Sequence, residues 1–391
     1  MIKMLENKGQ FLFTFYQINT SIVLFFAANC PSFDKNQSIL DMTLTPGFDP
    51  QISWQPPQNW LCIDTLDAHT GGEPLRIITS GFPKLIGDTI LERRRFAQEN
   101  YDYLRTALMF EPRGHADMYG CILTAPVTPN ADFGVLFMHN EGYSTMCGHA
   151  IIALTKVALQ TGMLPTQEPE TMIKIDTPAG LVTAFAKVEN GTVTQVRFQN
   201  VPSFVVELDA EITVPGLGTI RYDLAFGGAF YAYVQADQVD LKCTPEEHKE
   251  LIEKGMQIKR AVMKQRKIQH PTEDDLGFLY GTIFIAPPLS EGVDSRNVCV
   301  FAEGEVDRSP TGTGVSGRAA IHYARKELQL GQTLKIESIL GSVFTTKAIQ
   351  ETSFGNYTAV IPEVSGEAYL TGKHQFWIDP SDTLQKGFIL R

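Results

Sequence analysis

The sequence predicts an α/β chain of the α+β type. Two pseudo-symmetric domains are expected, each a curled sheet around one buried helix, with the active site in the cleft between them. Three observations carry that expectation. Short β-like runs punctuated by Gly and Pro dominate from Trp60 onward. Two stretches stand out as helices, one after Cys147 and one after Thr311, and the first is apolar over most faces, as a buried helix is. The two helix starts lie 164 positions apart and open on similar segments, Ser144-Thr145-Met146-Cys147-Gly148-His149-Ala150 and Asp307-Arg308-Ser309-Pro310-Thr311-Gly312-Thr313-Gly314. A second echo lies at a similar offset: Ile63-Asp64 leads into His69-Thr70-Gly71-Gly72-Glu73-Pro74, and Tyr222-Asp223 into Ala225-Phe226-Gly227-Gly228-Ala229-Phe230. Two echoes at one period indicate a duplicated unit.

In chain order, residues 1–57 read as an N-terminal extension. Lys3 and Lys8 precede an apolar stretch, Phe11 to Ala28, interrupted by Gln17, Asn19, Thr20 and Ser21. A targeting segment ending near Ala27-Ala28, a weak membrane anchor, an unstructured tail and a true start at Met42 are all open readings. Thr43 to Pro57 is a Pro- and Gly-containing linker. Strands are expected at Leu61 to Leu66, Leu75 to Ile78, Cys121 to Leu123, Phe133 to Met138, Met172 to Ile175 and Leu181 to Phe185. The first helix runs from Cys147 to a stop at Gly162; the second runs from Thr311 to about Leu330-Gly331. A crossing near Val201-Pro202-Ser203 and a return near Ile361-Pro362 would divide the chain into a first domain, 58–203 plus 361–391, and a second, 204–360.

Composition narrows the function. With 391 residues, 43% of them hydrophobic, the chain can bury a core for two domains. A net charge of −11 without a long basic run argues against nucleic acid or an anionic membrane surface as partner. The six cysteines are scattered, with no Cys-x-x-Cys pair and no zinc-like spacing, which favours a reducing, cytoplasmic setting over a disulfide scaffold or a metal site. The apolar N-terminal stretch leaves a secretory or membrane-anchored form open.

Cys147 stands at a helix start beside Gly148 and His149, where a positive helix end and a neighbouring imidazole are expected to favour a thiolate. Thr311, its counterpart, carries an alcohol, which does not titrate near neutral pH. Backbone N–H groups of Gly148, His149, Gly312 and Thr313 can together grip a carboxylate, and Asp307 can meet an ammonium. Such a site holds an α-amino acid by both charged groups and presents its Cα–H to Cys147. Gly312 to Gly317 also spells G-x-G-x-x-G, with Glu337 twenty positions beyond. A nicotinamide oxidoreductase is disfavoured, because ten residues separate the preceding strand-like run from Gly312, where the dinucleotide fingerprint needs a tight turn. A non-catalytic amino-acid binder is disfavoured by the cysteine at a helix start.

These motifs, with Glu111-Pro112-Arg113-Gly114-His115, Asn140-Glu141-Gly142-Tyr143 and Gly341-Ser342-Val343-Phe344, resemble the proline racemase family from about Leu61 to the C-terminus. The family's racemases and epimerases carry a second cysteine where this chain has Thr311. The threonine pattern is similar to the branch that dehydrates trans-3-hydroxy-L-proline to Δ1-pyrroline-2-carboxylate. The resemblance implies a diaminopimelate-epimerase-like fold, no organic cofactor and no metal. It also implies Cys147 as base, with Thr311 opposite. Gly148, His149, Gly312 and Thr313 become carboxylate binders, and Asp307 the contact to the ring nitrogen. The expected partner is a small amino-acid substrate, with neither nucleic acid nor stable membrane association; a homodimer is open. The alternative activity is that of a proline racemase or 4-hydroxyproline epimerase. The acid that protonates a departing hydroxyl is unassigned, with Cys147, His149 and His69 among the candidates.

Overall fold

The computed structural model describes Glu6–Asn7, Gln10–Phe11 and residues 53–390. The expected targeting or anchor segment beyond Phe11 and most of the linker lie outside the described residues. In the unit Met1–Gln55 two short strands, β1 (Glu6–Asn7) and β2 (Gln10–Phe11), pair antiparallel. The remaining elements belong to the unit Pro56–Arg391.

The first half of that unit runs β3 (Leu61–Thr70), β4 (Glu73–Ser80), α1 (Ile90–Met109), β5 (Tyr119–Thr124), β6 (Phe133–His139), β7 (Gly142–Ser144), α2 (Gly148–Gln160), β8 (Glu170–Thr177), β9 (Gly180–Glu189) and β10 (Thr192–Gln199). The second half runs β11 (Ser203–Val214), β12 (Gly218–Phe226), β13 (Phe230–Gln235), α3 (His248–Gln265), β14 (Leu279–Ala286), β15 (Ser295–Phe301), β16 (Glu305–Val306), α4 (Gly312–Ala324), β17 (Thr333–Glu337), β18 (Val343–Phe354) and β19 (Tyr357–Gly366), before β20 (Ala368–Ile378). All six expected strands lie within observed ones.

The duplication is plain in the pairing. β3–β4 is antiparallel, β4–β5 parallel, β5–β6 antiparallel, β6–β8 parallel, then β8–β9 and β9–β10 antiparallel. The second half repeats this order with β12–β13, β13–β14, β14–β15, β15–β17, β17–β18 and β18–β19. Parallel neighbours need a crossover of a dozen or more residues. Each of the α-helices α1 to α4 lies in one such crossover, so α1 corresponds to α3 and α2 to α4.

The halves are stitched at β19. Its Ala359 and Val360 pair with β11, and its Glu363 to Gly366 pair with β10. The partner β18 carries a bulge between Ala348 and Gln350, opposite Ile361 and Pro362, which accommodates a proline inside a sheet.

α2 is buried on nearly every side; only Lys156 and Gln160 reach outward, and the chain leaves the helix through Gly162 at φ +75°. α4 ends sooner than expected, at Ala324 rather than near Leu330-Gly331. Lys326 turns to φ +61°, and the N–H groups of Glu327 and Leu328 both donate to the His322 carbonyl, closing the helix. α1 and α3 are absent from the sequence expectation. Both are amphipathic covers on the sheets, rich in charge on the outer face. Their starts are locally encoded: Thr89 and Glu92 form a capping box at α1, and Thr244 and Glu247 form one in the turn before α3.

The N-terminal ends of α2 and α4 abut. A Cβ placed on Gly148 would lie 2.5 Å from the Gly312 Cα, and one on Gly312 would lie 2.5 Å from the Gly148 Cα. Alanine normally stabilises a helix over glycine by about 1 kcal/mol. Here both neighbours are backbone and cannot yield, so the sign reverses. Gly312→Ala should lower unfolding free energy in urea titration by about 1–3 kcal/mol, the usual cost of overpacking; an unchanged or raised midpoint would contradict the close contact.

Candidate active site

Cys147 and Thr311 occupy equivalent positions, each immediately before the first residue of its helix. Neither side chain caps its helix. The first intrahelical bonds are Ile151 N–H to the Cys147 carbonyl and Val315 N–H to the Thr311 carbonyl. The donors at 148–150 and 312–314 therefore have no partner within their helices, as at every helix start. Cys147 is extended, at φ −143°, whereas Thr311 sits at φ +68°, a left-handed conformation costly for a β-branched residue by about 1–3 kcal/mol. Local bonds over-determine it: Ser309 N–H donates to Asp307 Oδ1 at 2.8 Å, and Thr311 N–H to Ser309 Oγ at 3.2 Å.

One small buried cavity of about 20 Å³ brings together Cys147, Gly148, His149, Asp307, Thr311, Gly312 and Thr313. All seven expected site residues thus line one wall system, and the volume is near that of a single water. Residues that sequence reasoning missed complete it: Glu73, Tyr119, Met146, Tyr231, Tyr280, Cys299 and Phe301. Glu73 was visible in the first echo, and Cys299 among the cysteines, but no spacing ties either to Cys147. Tyr231 Oη lies 2.7 Å from Thr313 Oγ1 and positions it. Tyr119 packs edge-on to the His149 ring and shares a short hydrogen bond with Ser144.

His69 is not in this wall. It stacks on Tyr369, accepts from Gly72 N–H, and faces a separate cleft of about 440 Å³ beside Ser342 and Thr345. Another cleft, of about 270 Å³, holds Arg318, His322 and Arg325, but these groups are engaged locally: Arg325 with Asp209 and Asp223, His322 with Glu327 and Arg318. The glycine run of the dinucleotide pattern serves packing. Gly312 meets Gly148, a Cβ on Gly317 would fall 2.0 Å from Tyr233 Oη, and Glu337 is buried against Arg296 at 2.8 Å.

The electrostatics correct one expectation. Burial pushes the Cys147 thiol well above its ordinary range, with the nearby Asp307 and Glu73 carboxyls adding to the rise. The Ala150 N–H and the Tyr119 hydroxyl oppose this without reversing it. In the closed cavity Cys147 is therefore a thiol, because desolvation outweighs the helix end. His149 Nδ1 lies 3.2 Å from its sulfur, yet burial depresses the imidazole to about 3, so the ring is neutral. Burial also raises Asp307 to about 6, against hydrogen bonds from Ser309 and Thr311.

This arrangement defines an enzyme of two repeated halves with a thiol and a hydroxyl at matching helix starts on the walls of one small buried cavity. The chain belongs to the proline racemase family, which matches residues 65–389. A trans-3-hydroxy-L-proline dehydratase of Colwellia psychrerythraea is 52% identical over 86% of this chain and 96% of its own. A trans-L-3-hydroxyproline dehydratase of Xenopus tropicalis is 47% identical over 88% and 99%. Among solved structures, a hydroxyproline epimerase of Agrobacterium vitis with bound trans-4-hydroxy-L-proline superposes with a TM-score of 0.81 at 33% identity, over 85% of this chain and 96% of its own. The fold is thus the epimerase-like one expected.

The buried thiol makes a measurable statement. Alkylation of Cys147 by iodoacetamide, followed by peptide mass spectrometry, should be slower at pH 7 than for free cysteine and should keep rising with pH beyond the ordinary thiol range near ~8.5. A rate equal to that of free cysteine would contradict the raised thiol.

Proposed function

We propose that this enzyme removes water from trans-3-hydroxy-L-proline to give Δ1-pyrroline-2-carboxylate. The observation that carries the reading is the pairing of one thiol, Cys147, with one alcohol, Thr311, at equivalent helix starts in a single small cavity. The names of the two dehydratase relatives support it.

The orphan N–H groups of Gly148, His149, Gly312 and Thr313 hold the substrate carboxylate and stabilise the charge that spreads onto it as the Cα–H is lost. Asp307 receives the ring nitrogen. The cavity is too small for a proline ring, so the two lobes, 58–203 with 361–391 and 204–360, part to admit substrate and close over it. Since burial is the first cause of the raised thiol, hydration of the open cleft and arrival of a cationic nitrogen favour the thiolate. Cys147, its own proton lost to water of the open cleft, then takes the Cα proton. Thr311, an alcohol, neither removes nor returns a proton on the opposite face near neutral pH. The electron pair instead expels the 3-hydroxyl, and the enamine tautomerises to the cyclic imine. In the trans substrate this hydroxyl shares a ring face with the Cα–H, so the elimination is syn. A thiol-dependent activity of this kind suits a reducing, cytoplasmic setting.

One observation favours the epimerase alternative: Cys299 lines the same cavity, so a second thiol exists beside Thr311. Burial and the Asp307 charge keep it protonated. Purified protein given trans-3-hydroxy-L-proline should form an imine detected as its o-aminobenzaldehyde adduct, and Cys147→Ser should abolish it. D-proline from L-proline, or a C2 epimer without imine, by chiral chromatography would shift the assignment to an epimerase.

The carboxyl of Asp307 sets an acid limb. Its pKa is raised to about 6, so the anion that meets the ring nitrogen is present above that pH and is lost as pH falls through it. kcat/KM should therefore fall below about pH 6 in the free enzyme. Asp307→Asn should remove this limb and weaken the plateau by roughly 1.5–3 kcal/mol, about ten- to a hundredfold. An unchanged pH profile in the variant would contradict the role.

A further inference from the structure

A hydroxide ion is a poor leaving group, so the dehydration needs an acid at the departing oxygen, on the ring face that Cys147 attacks. Most polar groups in the cavity are unsuited. His149 is a neutral imidazole held by burial, with no proton to spare beyond its ring N–H. Tyr119 is tied to Ser144, and burial makes it a weaker acid still. Asp307 accepts from Ser309 N–H and receives the ring nitrogen. Thr311 belongs to the opposite lobe and is an alcohol.

Glu73 differs from all of them. It opens β4 in the lobe that carries Cys147, directly after the Gly71-Gly72 turn, and lines the same cavity with 0% of its surface exposed. Its Oε2 accepts from Arg308 N–H at 2.7 Å, which fixes the carboxyl plane. Its Oε1 is buried and has no hydrogen-bond partner among the described residues. A buried, unpartnered carboxyl oxygen is costly unless a ligand completes it.

We propose that Glu73 is the general acid that delivers a proton from Oε1 to the departing 3-hydroxyl, an inference that rests on the dehydration reading above. Burial, with the Asp307 charge adding to it, keeps the proton on this carboxyl. The Arg308 N–H occupies Oε2, so the proton resides on Oε1, the atom left without a partner. The step balances. The C2–H bond breaks, its proton passes to the Cys147 sulfur, and its electron pair becomes the C2–C3 double bond. The C3–O bond breaks, and the oxygen leaves as water with the Glu73 proton. Glu73 is left as carboxylate and Cys147 as thiol, and transfer of the thiol proton to Glu73 restores both groups. The enamine loses its N–H proton and gains one at C3 to become the imine.

The test uses full-length protein and Glu73→Gln, which keeps size and the Arg308 contact but has no acidic proton. Three rates are compared: imine from trans-3-hydroxy-L-proline, imine from trans-3-fluoro-L-proline, and deuterium uptake at Cα of L-proline in heavy water. Fluoride leaves without a full proton transfer. The variant should lose about 10²–10⁴-fold on the hydroxyl substrate, the usual worth of a general acid. It should lose less than about tenfold on the fluoro substrate, and keep whatever Cα exchange the wild type has. Unimpaired imine formation from the hydroxyl substrate would mean that Cys147 itself returns the proton, and overturns the role. Equal losses on both substrates, with a lowered Tm or lost exchange, would make Glu73 a structural or positioning residue and also overturn it. Wild-type protein that forms no imine would overturn the dehydration reading, and this role with it.

Discussion

The contact between Gly148 and Gly312 is the constraint on which the rest of the site depends. Two helices of opposite halves meet end to end with no side chain between them. Each helix start carries unpaired N–H groups and a partial positive charge. Bringing two such ends together concentrates donors on one small volume, but it also sets like partial charges against each other. The Asp307 carboxylate in the same wall offsets part of that repulsion. The Gly227-Gly228 turn supports the junction. A Cβ on Gly227 would lie 2.2 Å from the Thr313 carbonyl oxygen, and the Gly228 carbonyl accepts from Thr145 Oγ1 at 2.6 Å. Asn200, where the chain crosses between halves, donates to the Gly227 carbonyl and to Ser316 Oγ.

Closure of the cavity has a chemical consequence that runs against local intuition. A cysteine at a helix start beside a histidine suggests a thiolate. In this fold both groups are fully desolvated, and desolvation favours the neutral form of each: the thiol is pushed up and the imidazole down. The same effect raises Glu73 and Asp307. The buried site therefore keeps protons on the Glu73 carboxyl and the Cys147 thiol, while Asp307 holds one only below about pH 6. The carboxyl can supply a proton to a leaving oxygen, whereas the thiol must lose its own before it can take one from carbon.

The two halves share a pairing order, a helix order and a junction, yet they differ at the helix starts that line the cavity. Tyr119 in β5 and Tyr280 in β14 come from equivalent strands and line the cavity together. At the helix starts the equivalence breaks. Cys147 is relaxed and extended, whereas Thr311 is held in a left-handed turn by the chain of bonds through Ser309 and Asp307. That loop also sends the Arg308 N–H across to Glu73, so the same turn that presents the alcohol orients a carboxyl of the other half.

Much of this was legible in the chain itself. Six strands of the first half, the two buried helices, the duplication, and the convergence of Cys147, Thr311, Asp307 and their glycines follow from apolar periodicity and repeated motifs, which are local properties. α1 and α3 escaped because their outer faces are charged and their apolar faces sparse, although a capping box stands at or just before each start. Tertiary structure alone decided the rest. It placed Glu73, Tyr119 and Cys299 in the wall, excluded His69, and set the protonation of Cys147. The reason is physical: which side chains share a cavity, and how completely water leaves it, depend on strands brought together from distant parts of the chain, and no residue's near neighbours in sequence report that.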